Sequence, residues 1–472
     1  MKLCSLRNLA SSLSAGAIAL SAGCEPPGQD APHESARAPG EAAQVTEPTR
    51  ESAWTMLGYD LGSTYYNSAE TALTKESAAR LEVSWQADLG DNVYAPPLQV
   101  GDKVYASSGV VVQAFEAATG KSLWRNTTAG TTASLFYDEG TLYAHVNNGN
   151  ITAIDASTGQ TKWSKPSSTQ GPTDGSSSPL VIGNLVLIGG SNGALEMVGG
   201  GRFRGYMGAL DKQTGAPAWT AYTVPTGAKG ASIWSSPAVD VAAGRVFGTT
   251  GNNYGAPATD TSDAFVAFDL KTGAILWKNQ RTKNDTWGPV SAGPDFDFGA
   301  NPVLYEADVK GVKTQLVSSA QKSGDAHAVR RDTGELVWTR SLGAGTRTGT
   351  LGVFVNGTWS GKNMLFACNK DAGNTAELFA LNGGTGAIAW QRKLTGPVWG
   401  RISVANGVGF VGVGNKLEVF DVDTGAVIKT FPSKKGTVAG TPSVANGRVA
   451  FGEGMAWANA RPGSTLTVLT VK

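Results

Sequence analysis

The stretch "GPDFDFGANP" at residues 293–302 sets two carboxylates, Asp295 and Asp297, one phenylalanine apart among Gly and Pro. This is either an acidic turn or a pair of carboxylates placed for chemistry such as proton abstraction. The position of the loop in the fold decides between them. Asp285, in "NDTW", is a third acid close by. Other chemistries are poorly supplied. The histidines are His33, His145 and His327. They form no cluster suited to zinc, and a satisfied structural role is expected for the two that fall in strands, His145 and His327. No phosphate-binding or dinucleotide fingerprint occurs in a strand–helix context. There is no C-x-x-C-H for covalent haem. Charge is balanced, 39 Lys+Arg against 38 Asp+Glu, which gives no basic face for nucleic acid.

The elements that must position these acids are legible through an internal repeat. The pattern A-x-D-x-x-T-G-x-x-x-W recurs as "AFEAATGKSLW" (114–124), "AIDASTGQTKW" (153–163), "ALDKQTGAPAW" (209–219), "AFDLKTGAILW" (267–277), "AVRRDTGELVW" (328–338) and "ALNGGTGAIAW" (380–390). A further copy, "VFDVDTGAVIK" (419–429), carries Lys where the others have Trp. Each copy reads as a β-hairpin whose Gly takes positive φ at the turn and whose Asp and Thr bond turn backbone groups. Its Trp offers area to pack on a neighbouring repeat. Each hairpin follows a further strand pair, which gives blades of four strands, A to D. The final pair finds its strand C in "STLTVLTV" (464–471) and its strand D in "RLEVSWQA" (80–87), from the other end of the domain. The fold expected is all-β: residues 54–472 form an eight-bladed β-propeller closed by an N-terminal strand.

Residues 1–23 read as a signal peptide, and the run "LSAGC" (20–24) that spans its end is similar to a bacterial lipobox. That resemblance implies a lipid on Cys24 and an exported protein tethered to a membrane, facing the periplasm or the exterior. Residues 24–53 are poor in large apolar side chains and are expected to form a disordered tether. Beyond Cys24 only Cys368 remains, so a disulfide within the mature chain is not expected.

In such blades the repeated C–D turns mark one face, and the B–C and D–A connections mark the other. The irregular segments 189–205, 226–236, 250–264, 280–302 and 320–326 all fall on the second face, over blades 3 to 5. Loops on one end of a rigid scaffold are where sites are built.

The Trp-docking repeat and these loops resemble the pyrroloquinoline quinone (PQQ) dehydrogenases, most closely the polyvinyl-alcohol-dehydrogenase-like branch. The shared runs are "WSSPA", "TGNNY", "DFG" followed by Pro, and "K.G" followed by Ala. The resemblance implies that Trp234 stacks on the quinone and that Lys322 sits beside its oxygens. It implies that Glu196 and Asn252 ligate a metal. A carboxylate with an amide oxygen suits Ca²⁺. Asp295 matches the catalytic base, with Asp297 as rival and as a further metal ligand. An Asp two positions on accompanies lanthanide use in part of the family. The implied reaction is hydride transfer from an alcohol, small or polymeric, to the quinone, with electrons passing to a separate acceptor such as a cytochrome c. Departures exist. The adjacent-Cys ring of the family is absent, and the Glu and Arg of its first two blades are not evident, Tyr94 lying near the place of the Glu. Trp399 and Arg347, on D–A connections, are further pocket candidates. The alternative is a non-catalytic propeller lipoprotein of the outer-membrane-assembly type, because the repeat alone specifies fold and not function.

Overall fold

The computed structural model describes residues 53–171, 173–196, 202–288, 294–343, 345, 351–355, 357–455 and 460–472. The expected signal peptide, the tether as far as residue 52, and Arg347 lie outside the described residues.

Eight antiparallel sheets follow one another as the repeat requires. Blade 1 runs Leu98–Val100, Lys103–Ser108, Val111–Glu116 and Ser122–Asn126. Blades 3, 4 and 5, which carry the irregular loops, begin at Leu180, Ala238 and Val303. In blade 8 the outer strand is Leu81–Asp88, paired with Thr465–Val471 from Leu81↔Val471 to Asp88↔Thr465. The first strand thus zips to the last, and the ring closes as expected.

The repeat residues explain how the blades lock. In the turn of blade 2, Asp155 accepts from the backbone N–H and hydroxyl of both Ser157 and Thr158. These donors hold its carboxyl well below the usual range. Asn382 does the same work in "LNGGTG", accepting from Gly384 and Thr385. The following Gly has φ +75° at Gly159, and the Trp of the preceding blade lies flat on it. A Cβ at Gly159 would fall 2.5 Å from the Trp124 ring. The indole N–H then reaches a carbonyl of the next blade: Trp124 to Ala156 O at 3.0 Å, Trp338 to Gly383 O at 2.8 Å. This contact repeats at every junction from blade 8–1 to blade 6–7.

The exceptional copy has a physical reason. Blade 8 is built from both chain ends, so it has no C–D turn and no T-G platform for a Trp from blade 7. Lys429 stands at that position and donates to Ala79 O and Leu81 O, at 3.1 and 2.6 Å, where the closing strand begins. Truncating a docked Trp should be costly. Trp338→Ala is expected to lower stability by about 3–5 kcal/mol, read from urea unfolding.

One feature was not legible in the sequence. Residues 54–67 cross the central channel and bond to the innermost strands one after another. Trp54 pairs with Gln99 of blade 1, and Thr55 O accepts from Tyr137 of blade 2. Leu61, Gly62, Thr64 and Tyr65 carbonyls accept from Val239, Leu304, Trp359 and Val404 of blades 4 to 7. Tyr66–Asn67 ends as a parallel fifth strand on blade 7. Trp54, Leu57 and Tyr65 are buried by this segment. It occupies the channel beneath the D–A connections.

Candidate functional site

The D–A connection between blades 4 and 5 delivers the acidic pair. Asp285 organises it. Its carboxylate accepts from the backbone N–H of Trp287, Asp295 and Phe296, at 3.1, 3.4 and 2.8 Å. These bonds hold Asp295 at φ +60°, a left-handed conformation that costs a non-Gly residue energy and is met at sites where the surroundings impose it. Asp285 is therefore a staple of the loop rather than a group offered to a substrate.

Blade 5 supplies the cation. The turn Gln321–Gly324 is joined to the acidic loop by Lys322 N–H donating to Asp297 O (3.0 Å) and Gln321 Nε2 donating to Phe296 O (2.7 Å). Lys322 Nζ then donates to Asp295 Oδ1 at 2.7 Å and Asp297 Oδ2 at 2.9 Å. The ammonium is itself nearly enclosed, its side chain 12% exposed. The two carboxylates raise its pKa against the effect of burial. Burial, reinforced by Asp297, pushes Asp295 up to about 7 even though Lys322 pulls it down. A carboxyl raised towards neutrality is suited to act as a general base near neutral pH.

Asp297 is fully engaged. Its Oδ1 accepts from Asn252 N–H at 2.7 Å, and its Oδ2 holds Lys322. As arranged, it anchors the site, and it ligates a metal only if Lys322 releases that oxygen. Asn252 shows the opposite state. Its Nδ2 donates to Asn253 O (2.9 Å) and Trp287 O (3.0 Å), which fixes the amide and leaves Oδ1 buried with no protein donor. Glu196 closes the short helical turn Gly193–Glu196, and its Oε1 is likewise buried without a partner. Burial and the nearby Asp297 raise its pKa to about 8, against the pull of Lys322 and Asn252. Two desolvated oxygens without donors need a partner, and an oxygen-seeking cation fits them. Among the described residues, no three His, Cys, Asp or Glu side chains are grouped to hold a metal by themselves. The protein donor set is partial and suits an ion completed by other ligands.

Trp234 adjoins the cluster. Lys322 Nζ lies 5.5 Å from its ring centroid, and the Phe354 ring lies 5.7 Å away. Gly299 and Gly251 leave room for it: a Cβ on Gly299 would fall 2.2 Å from Cη2 of Trp234, and one on Gly251 would fall 2.9 Å from Asp297 Oδ1. Its exposed side lines a cavity of about 160 Å³ in the channel, with Tyr94, Thr132, Ser176, Phe354 and Arg401 from other D–A connections. The structure thus brings Trp234, Asn252, Asp295, Asp297, Lys322 and Glu196 to one place. Trp399 is buried behind the cavity, its carbonyl accepting from the Tyr94 hydroxyl at 3.1 Å.

Sequence reasoning missed two residues. Asp263 is buried, neither carboxyl oxygen has a protein donor, and burial with Asp285 and Asp297 drives its pKa far up. It lies in a loop already marked as irregular. Arg401 entered through no motif. His145 and His327 are structural, as expected: His145 contacts Ser177 O and Thr173 Oγ1, and His327 contacts Thr339 Oγ1 and Gln321 Oε1.

The chain resembles known proteins in sequence and in fold. The chain is 28% identical to a polyvinylalcohol dehydrogenase of Pseudomonas sp over 324 residues, covering 59% of this chain and 49% of that protein. It is 26% identical to the polyvinylalcohol dehydrogenase of Sphingopyxis sp. (strain 113P3) over 377 residues, covering 68% of this chain and 56% of that one. The chain therefore spans about half the length of the curated relatives it matches. The crystal structure of quinohemoprotein alcohol dehydrogenase from Comamonas testosteroni superposes with a TM-score of 0.75 at 18% identity, covering 89% of this chain and 80% of that one, and shares the fold. The PQQ_2 family model, described as outer membrane protein assembly factor BamB, matches residues 40–279, 203–373 and 322–471. The chain belongs to this PQQ_2 propeller family.

Proposed function

We propose that this protein oxidises an alcohol with PQQ and a bound metal ion. One observation carries the reading: a buried Lys–Asp–Asp cluster abuts an aromatic wall, beside two desolvated oxygens that lack donors. Buried titratable clusters of this kind gather at functional sites. When bound, PQQ would accept hydride and the metal would supply Lewis acidity. Glu196 and Asn252 would hold the metal, with Ca²⁺ the expected ion. A lanthanide is the alternative if Lys322 yields Asp297 to it. Trp234 would form a flat wall for the cofactor. Asp295 would take the hydroxyl proton at its carboxylate, and Lys322 would hold positive charge beside the reacting oxygen. Removing water from this buried cluster strengthens each of these interactions. Small and polymeric alcohols both stand as substrates, the latter because of the named relatives. Electrons would leave to a separate acceptor such as a cytochrome c. The protein would be exported and lipid-anchored through Cys24.

A second reading, a non-catalytic assembly-type lipoprotein, is favoured by the description of the matching family model. Calorimetry with PQQ plus Ca²⁺, and in parallel PQQ plus La³⁺, separates the two. Saturable binding and dye-linked oxidation of an alcohol are expected. No binding with either metal would overturn the enzyme reading in favour of the scaffold.

A further inference from the structure

The channel cavity has a second polar end that no family motif marks. Among the described residues lining it, Arg401 carries the only charge, and the rest are apolar, aromatic or hydroxyl-bearing. Arg401 is 8% exposed. Its Nη2 reaches Asn301 Oδ1 at 3.3 Å, a neutral acceptor, and its Nε is buried without a partner. Its guanidinium lies 6.0 Å from the Tyr65 ring of the channel-crossing segment. No described carboxylate forms an ion pair with it. Buried guanidinium groups are almost always paired, so a lone one facing a cavity calls for an anion from outside. The Trp234 ring lines the same cavity, and Thr132, Ser134, Ser176 and Ser178 add small polar groups to it.

We infer that Arg401 is a carboxylate-recognition residue of this cavity, which takes a flat aromatic ligand with Trp234 against its face and a carboxylate on the guanidinium. The inference rests on the proposed function, for which the tricarboxylate PQQ is the ligand. It accounts for the missing Arg of the first two blades, because the charge enters instead from the connection between blades 6 and 7.

The test is binding, followed by quenching of protein fluorescence. In the presence of Ca²⁺, and in parallel La³⁺, wild type, Arg401→Met and Arg401→Lys are titrated with PQQ, with 2,6-naphthalenedicarboxylate, and with its neutral dimethyl ester; a thermal melt confirms that each variant folds. Wild type should bind both acids and prefer the diacid over the ester. Arg401→Met should weaken both acids by roughly 10–100-fold, the range of a charged hydrogen bond, and leave the ester unchanged. Arg401→Lys should recover part of the loss and keeps the test decisive if the Met variant does not fold. Equal affinity in wild type and a folded Arg401 variant would overturn the inference while leaving the proposed function intact. Arg401-dependent binding of the naphthalene diacid without any binding of PQQ would do the reverse. No binding of either acid by wild type would overturn both.

Discussion

Replacing Asp295 with Asn should lower turnover of an alcohol by about 10²–10⁴-fold, the range for loss of a general base, while cofactor and metal affinity change little. The substitution is nearly isosteric. An Asn amide oxygen can still accept from Lys322 Nζ, which now lies 2.7 Å from Asp295 Oδ1. The backbone stays stapled by Asp285. Only the proton acceptor is removed. The loss should therefore fall on kcat with KM nearly constant, measured by dye-linked steady-state kinetics on protein shown to bind PQQ. Asp297→Asn provides the contrast. Asp297 ties Asn252 N–H and Lys322 together, so its neutralisation should weaken metal and cofactor binding as well as rate. Full activity in Asp295→Asn would move the base to Asp297.

The ring of blades was open to sequence reading because its contacts repeat. One Trp, one turn Gly and one Asp or Asn recur at fixed spacing, and even the Lys429 exception marks the one junction without a turn to dock on. The acidic pair could be placed because alternation of strand and turn fixes which face a loop occupies. What does not repeat stayed hidden. Residues 54–67 bond to six inner strands through their backbone, and backbone bonding leaves little trace in side-chain type. Arg401 could not be singled out either, since its significance lies in what it lacks, an anionic neighbour, and that is a property of three-dimensional packing. The roles of Asp285 and Asp297 were obscured for a similar reason. Three carboxylates within thirteen residues look equivalent in sequence, and backbone N–H groups and Lys322 distinguish them only on folding.

Lys322→Met should be the most destabilising change at the site. It leaves Asp295 and Asp297 buried without the cation that both now share, and breaking a buried pair in this way costs about 3–5 kcal/mol. The sign of the pH dependence follows from the acids. Burial already raises Asp295 from the ordinary Asp range to about 7, and Lys322 opposes that rise. Without Lys322 the folded-state pKa climbs further, while in the unfolded chain it stays near 3.8. A carboxyl raised on folding contributes stability that is present in acid and lost as pH rises towards its folded pKa. The deficit of the variant should thus be small at about pH 2, where Asp295 is protonated in both states, and should widen steadily to pH 8. Thermal melts across that range measure it. A metal ion reverses the argument. Ca²⁺ or La³⁺ held near Glu196 and Asn252 returns positive charge to the cluster. It also competes with the proton on Glu196, whose pKa is near 8. The added cation should raise the melting temperature of both proteins more at pH 8 than at pH 5. The gain should be larger in Lys322→Met, where Asp297 Oδ2 is released to the metal. A constant deficit across pH, or a metal effect indifferent to the substitution, would mean that Lys322 contributes packing rather than charge.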